Sequence, residues 1–183
     1  MNLFILRHAS AGTRRINPVL DLKRPIDKEG KRHCLQLSQV LNALKISFDL
    51  IVSSPLKRSV QTASLIGTET GYEAPIQLSD RLAPEASFSD FQQLLKEVGD
   101  RENVLVVGHN PNISNFLGTL LVSQAGGQKI ANVRLRKGSL AKLSLTPAQA
   151  RGQASLQLLL DPRTVRALYS TSTKRSRLKT SRK

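Results

Sequence analysis

Short apolar runs alternate along the chain with longer segments in which apolar residues recur every three or four positions. A short apolar run is typical of a buried strand, and the longer spacing is typical of a helix with one buried face. The pattern predicts strands at residues 2–6, 49–53, 76–78 and 103–107. It predicts helices at residues 28–44, 55–70, 88–98 and 111–122, the first of them capped by Asp27.

The last third of the chain changes this pattern. Residues 139–145 and 155–160 are predicted to be antiparallel strands joined by a turn at 147–152, and a short helix is predicted at 164–169. Strands that alternate with helices favour a mainly parallel sheet. We therefore expect an α/β fold of three layers, α/β/α, with helices on both faces of the sheet.

Charge divides the chain into a body and a tail. The net charge is +15, and eight of the cations follow Pro162, where no acidic residue occurs. We therefore expect a folded domain over residues 1–162 and a basic, largely disordered extension over residues 163–183. Such a charge favours a polyanionic partner for the tail, although a solubilising segment is the alternative.

Several classes of protein are disfavoured by the composition. The chain has no run of about 18 apolar residues, so we expect no membrane span. Its single cysteine, Cys34, excludes an internal disulfide and a cysteine-based metal cluster, and it is predicted to lie in the core. A cytoplasmic protein without metal or cofactor is expected.

Two of the three histidines follow predicted strands. Arg7-His8 ends the first strand, and Gly108-His109-Asn110 ends the fourth. Ligands of open α/β sheets bind beyond the carboxyl ends of the strands. Arginine matches phosphate groups, and a neutral imidazole is a nucleophile toward phosphorus. Taken singly, Arg7-His8 is better explained as an incidental polar pair after a strand, and Gly108-His109-Asn110 is explained equally well as the start of a helix.

Arg58 lies in the first turn of the predicted helix that follows the second strand. A cation at that position opposes the helix dipole, which indicates a functional demand. The alternative is an ordinary surface arginine.

Together these segments resemble the histidine phosphatase superfamily, whose members have the phosphoglycerate mutase-like fold. The resemblance is carried, in the family's order over roughly residues 1–160, by Arg7-His8, by Ser54-Pro55-x-x-Arg58-x-x-Gln61-Thr62-Ala63 and by Gly108-His109-Asn110. The short length and the Arg24-Pro25-Ile26-x-x-x-Gly30 stretch are most similar to the SixA-type phosphohistidine phosphatases.

The resemblance implies a role for each matched residue. His8 would be the nucleophile that is transiently phosphorylated, and Arg7, Arg58 and His109 would surround the phosphoryl oxygens. Fixed cations stabilise the charge spread over those oxygens, so neither metal nor cofactor is implied.

Other positions border the motifs or lie outside the site. Ala9 stands where the superfamily usually has glycine, which is tolerated if its φ is negative. Glu85 is either the proton donor to the leaving group or a surface glutamate. Arg24 and Asn17 are candidate substrate contacts, and His33 is expected to be a surface or partly buried helix residue outside the site.

The leading hypothesis is a metal-independent phosphohistidine phosphatase that acts on a phosphorylated protein such as a histidine phosphotransfer domain. About 24 residues separate Leu78 from Asn103, which leaves little room for a lid and favours a macromolecular substrate. A small-molecule phosphomonoesterase of the same fold is one alternative. A module that binds nucleic acid or an acidic partner, with a vestigial site, is the other.

Overall fold

The computed structural model describes residues 1–122, 130–145 and 154–170. Its strands are β1 (Asn2–Arg7), β2 (Leu50–Ser53), β3 (Gln77–Leu78), β4 (Asn103–Gly108), β5 (Leu140–Ser144) and β6 (Ser155–Leu160). They form one sheet in the order β3-β2-β4-β1-β5-β6. The first four strands pair in parallel, whereas β5 and β6 add an antiparallel edge, as the pattern predicted.

Helices cover both faces of this sheet. They are α1 (Pro18–Leu22), α2 (Lys28–Ala43), α3 (Lys57–Glu69), α4 (Phe88–Glu97) and α5 (Asn112–Leu120), followed by a final helix over residues 162–170. A 3-10 turn lies at Asp80–Leu82. None of the described helices has both the length and the apolar character that crossing a membrane requires.

Alternate residues of β1 supply two separate cores. Leu3 and Ile5 pack with the apolar face of α4 and α5, whereas Phe4 and Leu6 pack with α2 and α3. Because successive strand residues point to opposite faces, a strand buried on both sides must be apolar throughout. The predicted three-layer α/β/α architecture is confirmed.

Two local details differ from the predictions. Helix α1 was not predicted, because it is five residues long and buries none of them. Helix α3 begins at Lys57, two residues after Pro55. The predicted turn at 147–152 and the part of the predicted disordered extension beyond Ser170 lie outside the described residues.

The final helix packs onto the body of the domain. Val165 is completely buried in the core that α2 and α3 cover. The helix is longer than the predicted residues 164–169 and reaches from 162 to 170. The start of the basic segment is therefore part of the packed structure.

His33 is more buried than expected. Only 9% of its surface is exposed, and its Nε2 lies 3.0 Å from the carbonyl oxygen of Gly138. The correction follows from the loop around Gly138, which covers this face of α2. Cys34 is in the core as predicted, and burial raises the pKa of its thiol to about 12, so the thiol stays protonated.

Gly30 brings α2 against the loop that follows β1. A Cβ atom at this position would lie 2.2 Å from the carbonyl oxygen of Ser10, which is closer than any real contact. The same carbonyl accepts a hydrogen bond from the Asp27 N–H at 3.0 Å. The absence of a side chain at residue 30 therefore fixes how the segment after Arg7-His8 meets the helix.

We expect Gly30→Ala to lower the free energy of unfolding by about 2 kcal/mol, because backbone rather than a flexible side chain must move. Gly67→Ala in α3 is the control, since its Cβ would meet only side-chain atoms, the nearest at 3.2 Å. Urea unfolding of the two variants measures the difference. Equal stability of the two variants would contradict this account of Gly30.

Candidate active site

The pairing of β1 with β4 brings the two predicted histidines together. The strands are parallel, with Arg7 opposite Gly108, so His8 and His109 leave the sheet side by side. Their ring centroids are 5.0 Å apart. Strand β2 pairs with the other edge of β4 and leads into α3, which carries Arg58. The three predicted segments therefore meet at the carboxyl edge of the sheet.

His8 is held as a neutral imidazole with a defined tautomer. Its Nδ1 donates a hydrogen bond to the carbonyl oxygen of Ala9 at 2.8 Å. Burial, with further help from the charges of Arg58 and Arg7, lowers the pKa of His8 to about 3. Because a carbonyl only accepts, the proton is on Nδ1, and Nε2 carries the lone pair that a nucleophile needs.

The backbone that follows His8 is also held by hydrogen bonds. The Ala9 N–H donates to the Thr62 hydroxyl at 3.1 Å, and that hydroxyl donates to the Arg58 carbonyl at 2.7 Å. Lys45 is the one non-glycine residue with positive φ in the described part of the chain, so Ala9 has an ordinary backbone. Ala9 therefore has a negative φ, at which alanine is tolerated where the superfamily usually has glycine.

His109 is also neutral. Burial, followed by the charges of His8, Arg58 and Arg7, lowers its pKa to about 3. Its Nε2 lies 2.9 Å from the Ser54 hydroxyl and 3.1 Å from the Ser59 hydroxyl. If one of these hydroxyls donates to Nε2, the ring proton is on Nδ1, which makes Nδ1 a donor.

Arg7 and Arg58 are anchored through backbone carbonyls. Nη1 of Arg7 donates to Leu135 O at 2.9 Å, and Nη1 of Arg58 donates to Asp21 O at 2.9 Å. Burial lowers the pKa of both guanidinium groups, which are so basic that they stay charged. A carbonyl holds an arginine in place without cancelling its charge.

Three polar atoms of these residues are left without partners. Nε of Arg7, Nε of Arg58 and Nδ1 of His109 are buried and make no hydrogen bond within the described residues. A buried donor without a partner costs about 1–3 kcal/mol. Arg7, Arg58 and His109 line the same cavity as His8, so these atoms are available to the oxygens of an anion bound there.

Asp21 and Arg24 form the wall beside Arg58. Asp21 accepts from Arg24 Nε at 2.9 Å, and its second carboxylate oxygen lies 3.6 Å from Arg58. Although burial raises the pKa of Asp21, the hydrogen bonds from Arg15 and Arg24 and the nearby charges outweigh it and lower the pKa. Arg24 also donates to Ala11 O at 2.7 Å, so it ties α1 to the loop after His8.

Asp27 holds the same loop from the start of α2. Its carboxylate accepts from the Gly30 N–H, the Ser10 hydroxyl and the Gly12 N–H, each at 2.7 Å. Burial raises the pKa of Asp27, but these hydrogen bonds outweigh that effect and lower it. The predicted helix cap therefore also fixes the segment that follows His8.

The loop of residues 134–138, which leads into β5, completes the support. Leu135 O accepts from Arg7 Nη1 and from Asn110 Nδ2, the second at 3.0 Å. The Gly138 N–H lies 3.0 Å from Arg7 O and 3.1 Å from His8 O, and Gly138 has a φ of +82°. Only glycine adopts this conformation readily, and a Cβ there would also strike His33.

The cavity around His8, which we call the site pocket, has a volume of about 980 Å³. Six cations and two carboxylates line it, so it favours anions. The predicted residues in its lining are Arg7, His8, Arg24, Arg58, Glu85 and His109. Glu85 is exposed at the rim.

Asn17 does not line the site pocket. Its side chain accepts from the N–H groups of Val19 and Leu20 and caps α1. That short helix was not predicted, so the capping role of Asn17 was not foreseen.

Several residues that shape the site were not predicted from the sequence. Ser59 and Lys137 are the clearest, since Ser59 contacts His109 and Lys137 lines the site pocket. A polar residue one position after Arg58 could have suggested Ser59, but nothing in the local sequence around Lys137 points to the site. No group of three or more metal-ligating side chains occurs among the described residues.

Comparison with known proteins places the chain among phosphatases. A sequence profile described as the histidine phosphatase superfamily (branch 1) matches residues 3–101. An uncharacterized protein from Picosynechococcus is 28% identical over 162 residues, which span 87% of this chain and 94% of that protein.

Solved structures of the same fold cover almost the whole chain. The protein histidine phosphatase SixA, solved with tungstate, superposes with a TM-score of 0.77 at 18% identity, covering 90% of this chain and 99% of that one. A putative phosphohistidine phosphatase SixA from Nakamurella multipartitia gives 0.67 at 26% identity, with coverage of 88% and 95%. A putative alpha-ribazole-5'-P phosphatase from Escherichia coli gives 0.64 at 19% identity, with coverage of 88% and 97%.

We expect both site histidines to stay neutral in the folded protein from pH 8 down to about pH 5. Their pKa values are about 3 in the folded chain, against 6.5 for an ordinary histidine. The neutral rings therefore contribute stability that is full above pH 6.5 and is lost as the pH falls toward 3. Nitrogen-15 NMR of the rings measures this, with His8 showing a protonated Nδ1. The urea-unfolded chain is the control, and a folded His8 that titrates near 6.5 would contradict the assignment.

Proposed function

The chain belongs to the histidine phosphatase superfamily (branch 1), and from this premise we propose that it is a metal-independent phosphohistidine phosphatase whose substrate is a phosphorylated protein. The observation that carries the proposal is the state of His8, a neutral imidazole with Nδ1 bound to Ala9 O and Nε2 available. A cytoplasmic location, inferred from the sequence, is part of the same proposal.

In the first step Nε2 of His8 attacks the phosphorus atom of the substrate. A bond from Nε2 to phosphorus forms as the bond from phosphorus to the substrate imidazole nitrogen breaks. The leaving imidazole takes up a proton from solvent and departs. The resulting charge on His8 is stabilised by the hydrogen bond from Nδ1 to Ala9 O, which strengthens as the ring becomes cationic.

The phosphoryl oxygens are stabilised by groups that have unsatisfied donors. Arg7 and Arg58 supply fixed positive charge, and Nδ1 of His109 supplies a neutral donor in the tautomer whose Nε2 accepts from Ser54 or Ser59. Donors that are already in place when charge spreads over the oxygens need no reorganisation during the reaction. In the second step water attacks phosphorus, the bond to Nε2 breaks, and phosphate leaves.

A protein substrate is supported by what surrounds the site pocket. The segment between β3 and β4 holds a 3-10 turn and α4, and only Pro84 and Glu85 from it line the cavity. A phosphohistidine at the surface of a histidine phosphotransfer domain fits such a site. Likeness to SixA proteins supports the same class of substrate.

A small-molecule phosphomonoesterase is the second candidate. The observation in its favour is Glu85, an exposed carboxylate in the lining of the site pocket, where it could protonate an alcohol leaving group. Likeness to the ribazole phosphatase is consistent with it. A binding module with a vestigial site has less support, because Arg7, His8, Arg58 and His109 are all present and line one cavity.

We expect His8→Asn to reduce phosphate release by about 10³-fold or more, because the nucleophile is lost. Asparagine keeps a donor where Nδ1 donates to Ala9 O, so thermal unfolding should change little. The assay uses a phosphohistidine peptide and p-nitrophenyl phosphate with a chelator present. Mass spectrometry of the quenched wild-type enzyme should find phosphate on His8. Activity retained by His8→Asn, or abolished in wild type by the chelator, would overturn the proposal.

Glu85→Gln tests the proton donor that only the second candidate function requires. We expect hydrolysis of a phosphohistidine peptide to be nearly unchanged, because a phosphorylated imidazole is a good leaving group. Hydrolysis of an alkyl phosphate should fall by about 10²-fold, the usual contribution of a general acid. Comparison of kcat/KM for the two substrates gives the result. An equal loss on both would show that Glu85 acts on binding rather than on the leaving group.

A further inference from the structure

A second cavity, which we call the basic pocket, opens beside the site pocket and has a volume of about 540 Å³. Its walls are the first half of α2, the segment of residues 134–137 and the start of the final helix. It shares Arg7, Asn110 and Lys137 with the site pocket. A ligand bound at His8 is therefore next to the basic pocket.

The basic pocket is strongly positive. Seven cations line it against a single carboxylate, that of Glu29. Besides the shared Arg7 and Lys137, the cations are Arg32, Arg134, Arg136, Arg163 and Arg166.

Two of these arginines are paired and three are not. Arg136 lies 3.1 Å from Asp161, and Arg166 lies 3.6 Å from Glu29. Arg32, Arg134 and Arg163 form no salt bridge within the described part of the chain, and all three are exposed. Like charges that line one concave surface repel each other and concentrate anions there.

The final helix contributes to the basic pocket because it is packed in place. Val165 is completely buried, and Arg163 and Arg166, three residues apart, lie on one face of the helix. The first two cations of the basic C-terminal segment therefore face the substrate side of the domain.

Exposed apolar residues at the site pocket indicate what kind of anion enters the basic pocket. Ile16 and Leu22 line the site pocket, and their side chains are 103% and 51% exposed. The neighbouring Val19 and Leu20 are each 57% exposed. A phosphate chain gains nothing from exposed apolar side chains, whereas a protein surface buries them on docking.

We propose that the basic pocket binds acidic side chains that flank the phosphorylated histidine in the substrate protein. Guanidinium groups form paired hydrogen bonds with carboxylates, so Arg134 and Arg163 suit Asp or Glu. The inference rests on the proposed function in that the substrate is a protein. It adds that substrates are selected by carboxylates near the phosphohistidine.

The test measures binding rather than turnover. The probes are peptides with a non-hydrolysable phosphohistidine analogue, phosphonotriazolylalanine, flanked by aspartate or by serine. We expect wild type to bind the aspartate peptide about tenfold more tightly, as two or three partly exposed ion pairs would give. The double variant Arg134→Gln/Arg163→Gln should lose most of this preference.

A matched control carries Lys96→Gln and Arg101→Gln. It has the same net charge as the test variant, but both changes lie around α4, on the other face of the sheet, so the preference should survive. No preference in wild type, or an equal loss in the control, would overturn the inference. So would a result in which the test variant weakens tripolyphosphate inhibition but not binding of the aspartate peptide.

The two proposals fail in different ways. If the enzyme releases no phosphate from a phosphohistidine peptide but the aspartate preference depends on Arg134 and Arg163, the proposed reaction is wrong and the pocket assignment holds. If phosphate is released but flanking aspartates make no difference to binding, the proposed reaction holds and the assignment of the basic pocket is wrong.

Discussion

The parallel register of β1 on β4 is the constraint on which the site depends. It sets Arg7 opposite Gly108, so that His8 and His109 follow at the same level at the edge of the sheet. A slip of one residue would send the side chains of one strand to the opposite face. Both strands are apolar and fully buried over their four central residues, Leu3–Leu6 and Val104–Val107, so the two cores fix this register and with it the distance between the rings.

Burial gives the site its chemical character. An imidazole close to several cations and removed from water is far more stable neutral than charged, which is the state that a nucleophile requires. The arginines stay charged under the same conditions. Arg7 and Arg58 are held by the carbonyl oxygens of Leu135 and Asp21, and Arg58 has only a long contact to the Asp21 carboxylate. Their positive charge is therefore left for a ligand.

Helix α1 and the loop of residues 134–138 supply part of the walls of the two pockets. Helix α1 buries none of its residues, and residues 134–138 form a loop held by hydrogen bonds to Arg7, His8 and His33. Loops carried by a rigid scaffold tolerate change, which is why they commonly determine specificity. In this protein the sheet provides the reactive groups, and these segments provide the charged and apolar surroundings.

The sequence by itself determined the layers of the fold and the identity of Arg7, His8, Arg58 and His109. Strand and helix periodicity is a local property, and the residues that follow strands meet at one edge of a sheet whatever the details. It did not reveal α1, the burial of His33 or the place of Lys137 in the site pocket. Helix α1 is short and buries no residue, so it leaves no periodic signal. The other two depend on contacts between segments more than 100 residues apart in the chain, such as His33 with Gly138, which lie 105 positions apart. Only the tertiary structure decided which isolated polar residues meet, because no periodicity connects them.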